Sequence, residues 1–175
     1  LPICAKSTVV TLAHVLREAL EGRQPYIWIV CDTKRQAAVH LENIKHELLQ
    51  NERLYEAYPL AAGQKGSMLQ KNAIVLPNGV KIEAIGSGQP VRGLRWREHR
   101  PTLIVCDDLQ NDQHIHSPQQ RDRIRAWFHG MVMKAGSPDT RFIHLGTALH
   151  RECIAMELHE TPGWTSRVFQ SIVEW

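Results

Sequence analysis

Leu103-Ile104-Val105-Cys106-Asp107-Asp108 is the stretch that decides the fold. Four apolar residues followed by two adjacent carboxylates read as a strand buried on both faces that delivers its acids to its own carboxyl end. Two other stretches have the same form. Tyr26-Ile27-Trp28-Ile29-Val30-Cys31 runs into Asp32-Thr33, and Arg141-Phe142-Ile143-His144-Leu145 runs into Gly146-Thr147. Helical patterns separate them. Residues 7 to about 21 place Val9, Val10, Leu12, Ala13, Leu16, Ala19 and Leu20 on one side, with Gly22 as the stop. Asp32-Thr33 offers an N-cap for a helix to about residue 49, with Ala37, Ala38, Leu41, Ile44 and Leu48 at helical spacing.

Residues 50–70 read as irregular and polar. Ala73 to Leu76 and Val80 to Ile85 predict a hairpin around Pro77-Asn78-Gly79. A helix is expected from about 119 to 132, another from about 152 to 159, and a short strand over 166–173. Buried strands alternating with helices predict right-handed βαβ units and an α/β fold with a mostly parallel sheet. Ligands of such sheets bind at the carboxyl ends of the strands. The three chemically loaded termini all fall there.

The 175 residues suit one domain over 1–175. No stretch approaches the roughly 20 apolar residues of a membrane span, and Lys6, His14 and Arg17 interrupt the first apolar segment, against a signal peptide. A cytoplasmic protein with no membrane partner is the expectation. The net charge of +3 permits a polyanionic partner without arguing for one. Cys4, Cys31, Cys106 and Cys153 show no C-x-x-C spacing and read as reduced thiols. His114-Ile115-His116 reads as a loop pair lacking a third metal ligand. The chain opens on Leu1, as expected of a fragment or a processed product.

Cys4-Ala5-Lys6-Ser7-Thr8 stands at the start of the first helix. Against the pattern G-x-x-x-x-G-K-[ST], Lys6-Ser7 takes the last two places and Ala5 replaces the second glycine. In that reading Ala5, Lys6, Ser7 and Thr8 bind the phosphates of ATP. Backbone N–H groups cradle the β-phosphate, Lys6 reaches the β/γ oxygens, and the Ser7 hydroxyl ligates Mg²⁺. The plainer alternative is that Ser7-Thr8 cap a helix and Lys6 is solvated. In the acidic stretch, Asp107 is the Mg²⁺-side carboxylate and Asp108 the base or water-orienting group, about 1.5 Å shorter than the Glu often found there. Its alternative is a strand ending in two turn carboxylates. Lys6 and the acids together favour an NTPase.

With Arg92-Gly93-Leu94-Arg95-Trp96, Arg100-Pro101, and Ile104-Val105-Cys106-Asp107-Asp108-Leu109, the chain resembles the ATPase domain of tailed-phage terminase large subunits. The order of elements carries the resemblance from Ala5 to about Trp175. It runs from Ala5-Lys6-Ser7-Thr8 through Asp32-Thr33-Lys34, Gly86-Ser87-Gly88, the Arg92-Gly93 element, the acidic strand and Arg125-Ala126-Trp127-Phe128 to His144-Leu145-Gly146-Thr147-Ala148-Leu149-His150.

The resemblance implies a three-layer αβα P-loop NTPase fold of the RecA-like, additional-strand type, with the first strand before the P-loop missing. It implies an ATP-driven motor that packages double-stranded DNA into procapsids, with the portal protein and the small terminase subunit as partners and a homo-oligomeric ring when assembled. Thr147 would sense the γ-phosphate, and Arg92 would be an arginine finger given to a neighbouring subunit, a contribution of about 10³ to 10⁵ in rate. Arg95, Arg97 and Arg100 would meet DNA phosphates or simply form a solvated loop. Three features depart from the family pattern: Pro2 stands where an Arg is usual, and neither the adenine-binding segment nor the nuclease domain has a counterpart, so the chain is not expected to cut DNA. A prophage remnant that does not hydrolyse ATP and a helicase-like translocase are the alternatives. The latter is disfavoured because Asp108-Leu109-Gln110 is no acidic-Ala-acidic box.

Overall fold

The computed structural model describes residues 5–63, 68–111 and 117–169. Its strands are β1 (Tyr26–Cys31), β2 (Met68–Gln70), β3 (Ala73–Val75), β4 (Lys81–Gly86), β5 (Leu103–Asp107) and β6 (Arg141–Leu145), in one sheet of order β2-β3-β4-β1-β5-β6. β4, β1, β5 and β6 run parallel, while β2 and β3 extend the β4 side antiparallel. The hairpin turn is the predicted one. Gly79 takes φ 88°, a conformation that favours glycine. Asn78 accepts from the Val80 N–H at 3.2 Å and donates to the Ala19 carbonyl at 2.8 Å, which pins the turn to the first helix.

The residues of β1 alternate between two cores, and this makes three layers. Ile27, Ile29 and Cys31 join Leu103 and Val105 beneath α1 (Val15–Leu20) and α2 (Lys34–Gln50). Tyr26, Trp28 and Val30 join Ile104 and Cys106 against α4 (Pro118–Trp127), its π-helical continuation Phe128–Val132, and α5 (Ile154–Glu160). Each large apolar side chain buried this way stabilises the fold by about 1.5–3 kcal/mol. The Thr33 side chain accepts from the Gln36 N–H at 3.2 Å, the expected N-cap of α2.

Four expectations need correcting. The first helix opens as a π-helical stretch, Thr8–His14, before α1. Its inward stripe is Thr11, Val15, Leu16, Ala19 and Leu20, whereas Val9 and Ala13 are exposed. A hydroxyl faces inward here because it meets a carboxylate. β6 is a strand but not a fully buried one: it pairs with β5 on one side and is half-covered. Residues 50–63 hold a short helix, α3 (Glu52–Ala57), whose Leu54 N–H donates to the Asn51 side chain at 3.3 Å. β2 likewise lies in the stretch read as irregular, and its three residues are all exposed. Residues 166–169 form no strand, and the rest of that predicted element lies outside the described residues.

Candidate functional site at the strand ends

The carboxyl ends of the four parallel strands are laced together by their own backbone. The Ser87 N–H donates to the Cys31 carbonyl at 2.9 Å, Asp32 N–H to Asp108 at 3.2 Å, and Asp108 N–H to Leu145 at 3.1 Å. Gly86 lies against the Lys34 backbone, where a Cβ would collide, so the start of α2 sits tight on the end of β4. Asp32, Asp108 and Gly146 therefore stand side by side, at the carboxyl end of the sheet where the strand pattern predicts them. Asp108 adopts φ 47°, a left-handed conformation that costs most side chains about 1 kcal/mol and that Asp tolerates better than most.

Asp107 shares the sheet face of Leu103 and Val105 and is 2% exposed. The Thr11 hydroxyl donates to its Oδ2 at 2.6 Å, and His40 Nε2 stands 3.6 Å from the same oxygen. Sequence reasoning paired Asp107 with Ser7. The hydroxyl that meets it belongs to Thr11, one helical turn further on. Ser7 is half-buried, and its side chain makes no capping bond.

The Asp108 carboxyl is half-buried, and burial raises its pKa, with the Asp107 charge adding to the rise. Lys6 and His40 pull it back down. The Lys6 ammonium donates to the Gly146 carbonyl at 3.1 Å. Lys6, Asp108 and Gly146 thus converge from two ends of the sequence, with Asp107 directly beneath. Ala5, Thr8 and Thr147 are exposed around them. The arrangement offers a cation, a helix start and exposed hydroxyls to an anion, and a carboxylate to a nearby proton donor.

Arg92 is not brought to this cluster. It is exposed and lines a separate cleft with Arg95, Arg100 and Lys134. Pro2, Cys4, Asp112, His114 and His116 lie outside the described residues. Among the described residues no group of three or more His, Cys, Asp or Glu side chains is arranged to hold a metal ion. Cys31 and Cys106 are buried free thiols whose pKa burial and the Asp107 charge push far up, so they serve as packing and not as nucleophiles. Burial lowers His144 to about 4, and its shielded Nε2 has no partner among the described residues.

Thr11 and His40 are the residues that sequence reasoning missed. Each left a faint signal: Thr11 follows Ser7 by one turn, and His40 sits beside Ala37, Leu41 and Ile44 on the inward stripe of α2. No protein-family model matches the chain, and no curated protein matches it. No helix among the described residues is long and apolar enough to cross a membrane.

Proposed function

We propose that the chain is the ATP-hydrolysing motor domain of a tailed-phage terminase large subunit. The observation that carries this reading is the convergence of Lys6, at the start of a helix, with Asp107 and Asp108, at the end of a strand buried between two others. Lys6 faces an uncharged carbonyl, so its charge is free to meet a phosphate. Lys6, Ser7, Thr8 and the amide of Ala5 would hold the β- and γ-phosphates, Asp108 would orient the attacking water, and Thr147 beside Gly146 would respond to the γ-phosphate. Mg²⁺, when bound, would neutralise phosphate charge. Asp107 has its Oδ2 occupied by Thr11, so it fits a water-mediated contact better than direct ligation. Arg92 stands away from its own subunit's Lys6 and would act only on a neighbour in a ring.

Phosphate release from ATP tests the reading. The chain should turn over ATP with Mg²⁺, while Lys6→Ala and Asp108→Asn should fall to background. Equal background release from all three proteins would overturn it. The same result would favour the second reading, a remnant that keeps the fold without hydrolysis. That reading draws its support from Asp107, shielded under Thr11 and His40.

A further inference from the structure

A cleft of about 260 Å³ opens on the α4 face, lined by Arg92, Gly93, Leu94, Arg95, Arg100, Lys134 and their neighbours. It belongs to the amino ends of the strands. Arg100 donates to the Gly136 carbonyl at 3.4 Å, just ahead of β6, and Thr140 donates to Pro101 at 2.6 Å, just ahead of β5. The length of β5, about 16 Å for five residues, separates this end from the Lys6–Asp108 cluster.

No carboxylate lines the cleft, and its four cations form no ion pair among the described residues. Several bases elsewhere are paired. On the same face of the sheet Arg121 meets Glu152 at 2.6 Å and Arg125 meets Glu157 at 2.9 Å, while Arg17, Arg23, Lys45, Lys81 and Arg141 also face acids. Four like charges gathered in one concavity repel one another unless an anion lies among them. The walls are open as well. A Cβ added at Gly93 or Gly130 would meet nothing within 4 Å. Half-buried Leu94 and Met131 add apolar surface between the charges. Arginine forks with an apolar floor suit a phosphate joined to a sugar.

We propose that this cleft receives the backbone phosphates of a nucleic acid, held by Arg95, Arg100 and Lys134. It deepens the DNA-partner half of the reading above. Its test contains no ATP, so its failure leaves the Lys6–Asp108 assignment standing, and the reverse is also true. Arg92 also borders the cleft but is left out of the variants because the proposed motor uses it elsewhere.

The full chain is titrated into a labelled mixed-sequence DNA duplex at a series of salt concentrations, read by fluorescence anisotropy. Binding should weaken steeply with salt. Arg95→Ala and Lys134→Ala should each weaken it several-fold and flatten the slope of log K against log salt by about one, since each phosphate contact contributes about 0.9. Arg53→Ala, which removes an equal charge on exposed α3 far from the cleft, should leave the slope unchanged. All these side chains are exposed, so unchanged melting curves are expected to accompany the loss. No binding at low salt would overturn the proposal, as would a slope change from Arg53→Ala equal to that from Arg95→Ala. Displacement by inorganic phosphate at matched ionic strength would reassign the cleft to a free anion. Equally effective displacement by poly-glutamate would reassign it to an acidic protein.

Discussion

β5 and β6 are parallel neighbours of five residues each, yet Leu103–Asp107 is buried throughout while Arg141–Leu145 is exposed at its first residue and half-covered after it. Both end in chemically useful residues, but Arg141 and His144 interrupt the apolar side chains of β6. Their surroundings differ as well. β5 has a strand on either side, β1 and β6, and a core on both faces. β6 has one strand neighbour among the described residues. An apolar run is enough to make a strand, because β-branched and aromatic side chains fit a pleated surface. How far that strand is buried depends on what lies beside it.

Two substitutions test that contrast most strongly. Ile104→Ala should cost about 4 kcal/mol, since its side chain is fully buried and leaves a cavity that the packed sheet cannot close. Ile143→Ala, one strand over and half-exposed, should cost about 1 kcal/mol. Urea unfolding measures both, and equal losses would erase the distinction.

β6 also carries a half-buried base whose ring nitrogen Nε2 is shielded from solvent. His144 packs edge-on against Phe128, ring centroids 6.0 Å apart, and its pKa is lowered to about 4. A depressed pKa means that the folded state resists protonation while the unfolded chain accepts it. Stability from this residue is therefore complete above about pH 6.5 and lost as pH falls through about 4, by up to about 3 kcal/mol. His144→Gln should flatten the melting temperature over that window. An unchanged acid limb would show that the edge strand does not shield this ring as β5 shields its own side chains.

The smallest effect has the opposite sign and falls at the end of β5. Asp108 has a raised pKa, so its protonated form suits the fold, and its contribution is favourable below pH 3.8 and lost as pH rises through the folded value. Asp108→Asn keeps a residue that tolerates φ 47° and removes the charge. It should therefore raise the melting temperature slightly at neutral pH and not at acid pH, while ATP turnover falls. A loss of stability at neutral pH would mean that the carboxylate's contacts outweigh its burial.

Much of this was legible in the chain. The strands β1, β5 and β6, the α2 cap at Thr33 and the Asn78-Gly79 hairpin all follow from local rules, whereas the parallel pairing of β4 with β1 does not. Run length, a hydroxyl before a helix and a glycine at positive φ need no distant partner. α3 and β2 were missed because a six-residue helix and a three-residue exposed strand carry too few residues to show a period. At the site, the sequence placed Asp32, Asp108 and Gly146 at the carboxyl end of a parallel sheet, and the strand order β1-β5-β6 then made them neighbours. Thr11 and His40 were not legible. A polar residue on an inward stripe looks like an error until the carboxylate it faces is known.

The sequence by itself determined which segments form the apolar strands of a mostly parallel sheet, which ends carry acids, and that Lys6 opens a helix. These are one-dimensional properties, set by side-chain period and by the conformational limits of each residue. Only the tertiary structure decided that Thr11 and not Ser7 meets Asp107, that β6 stays half-covered, and that Arg95, Arg100 and Lys134 share one cleft far from Lys6. Each of those depends on which surfaces pack against one another, a matter of distances between residues remote in sequence that no local pattern encodes.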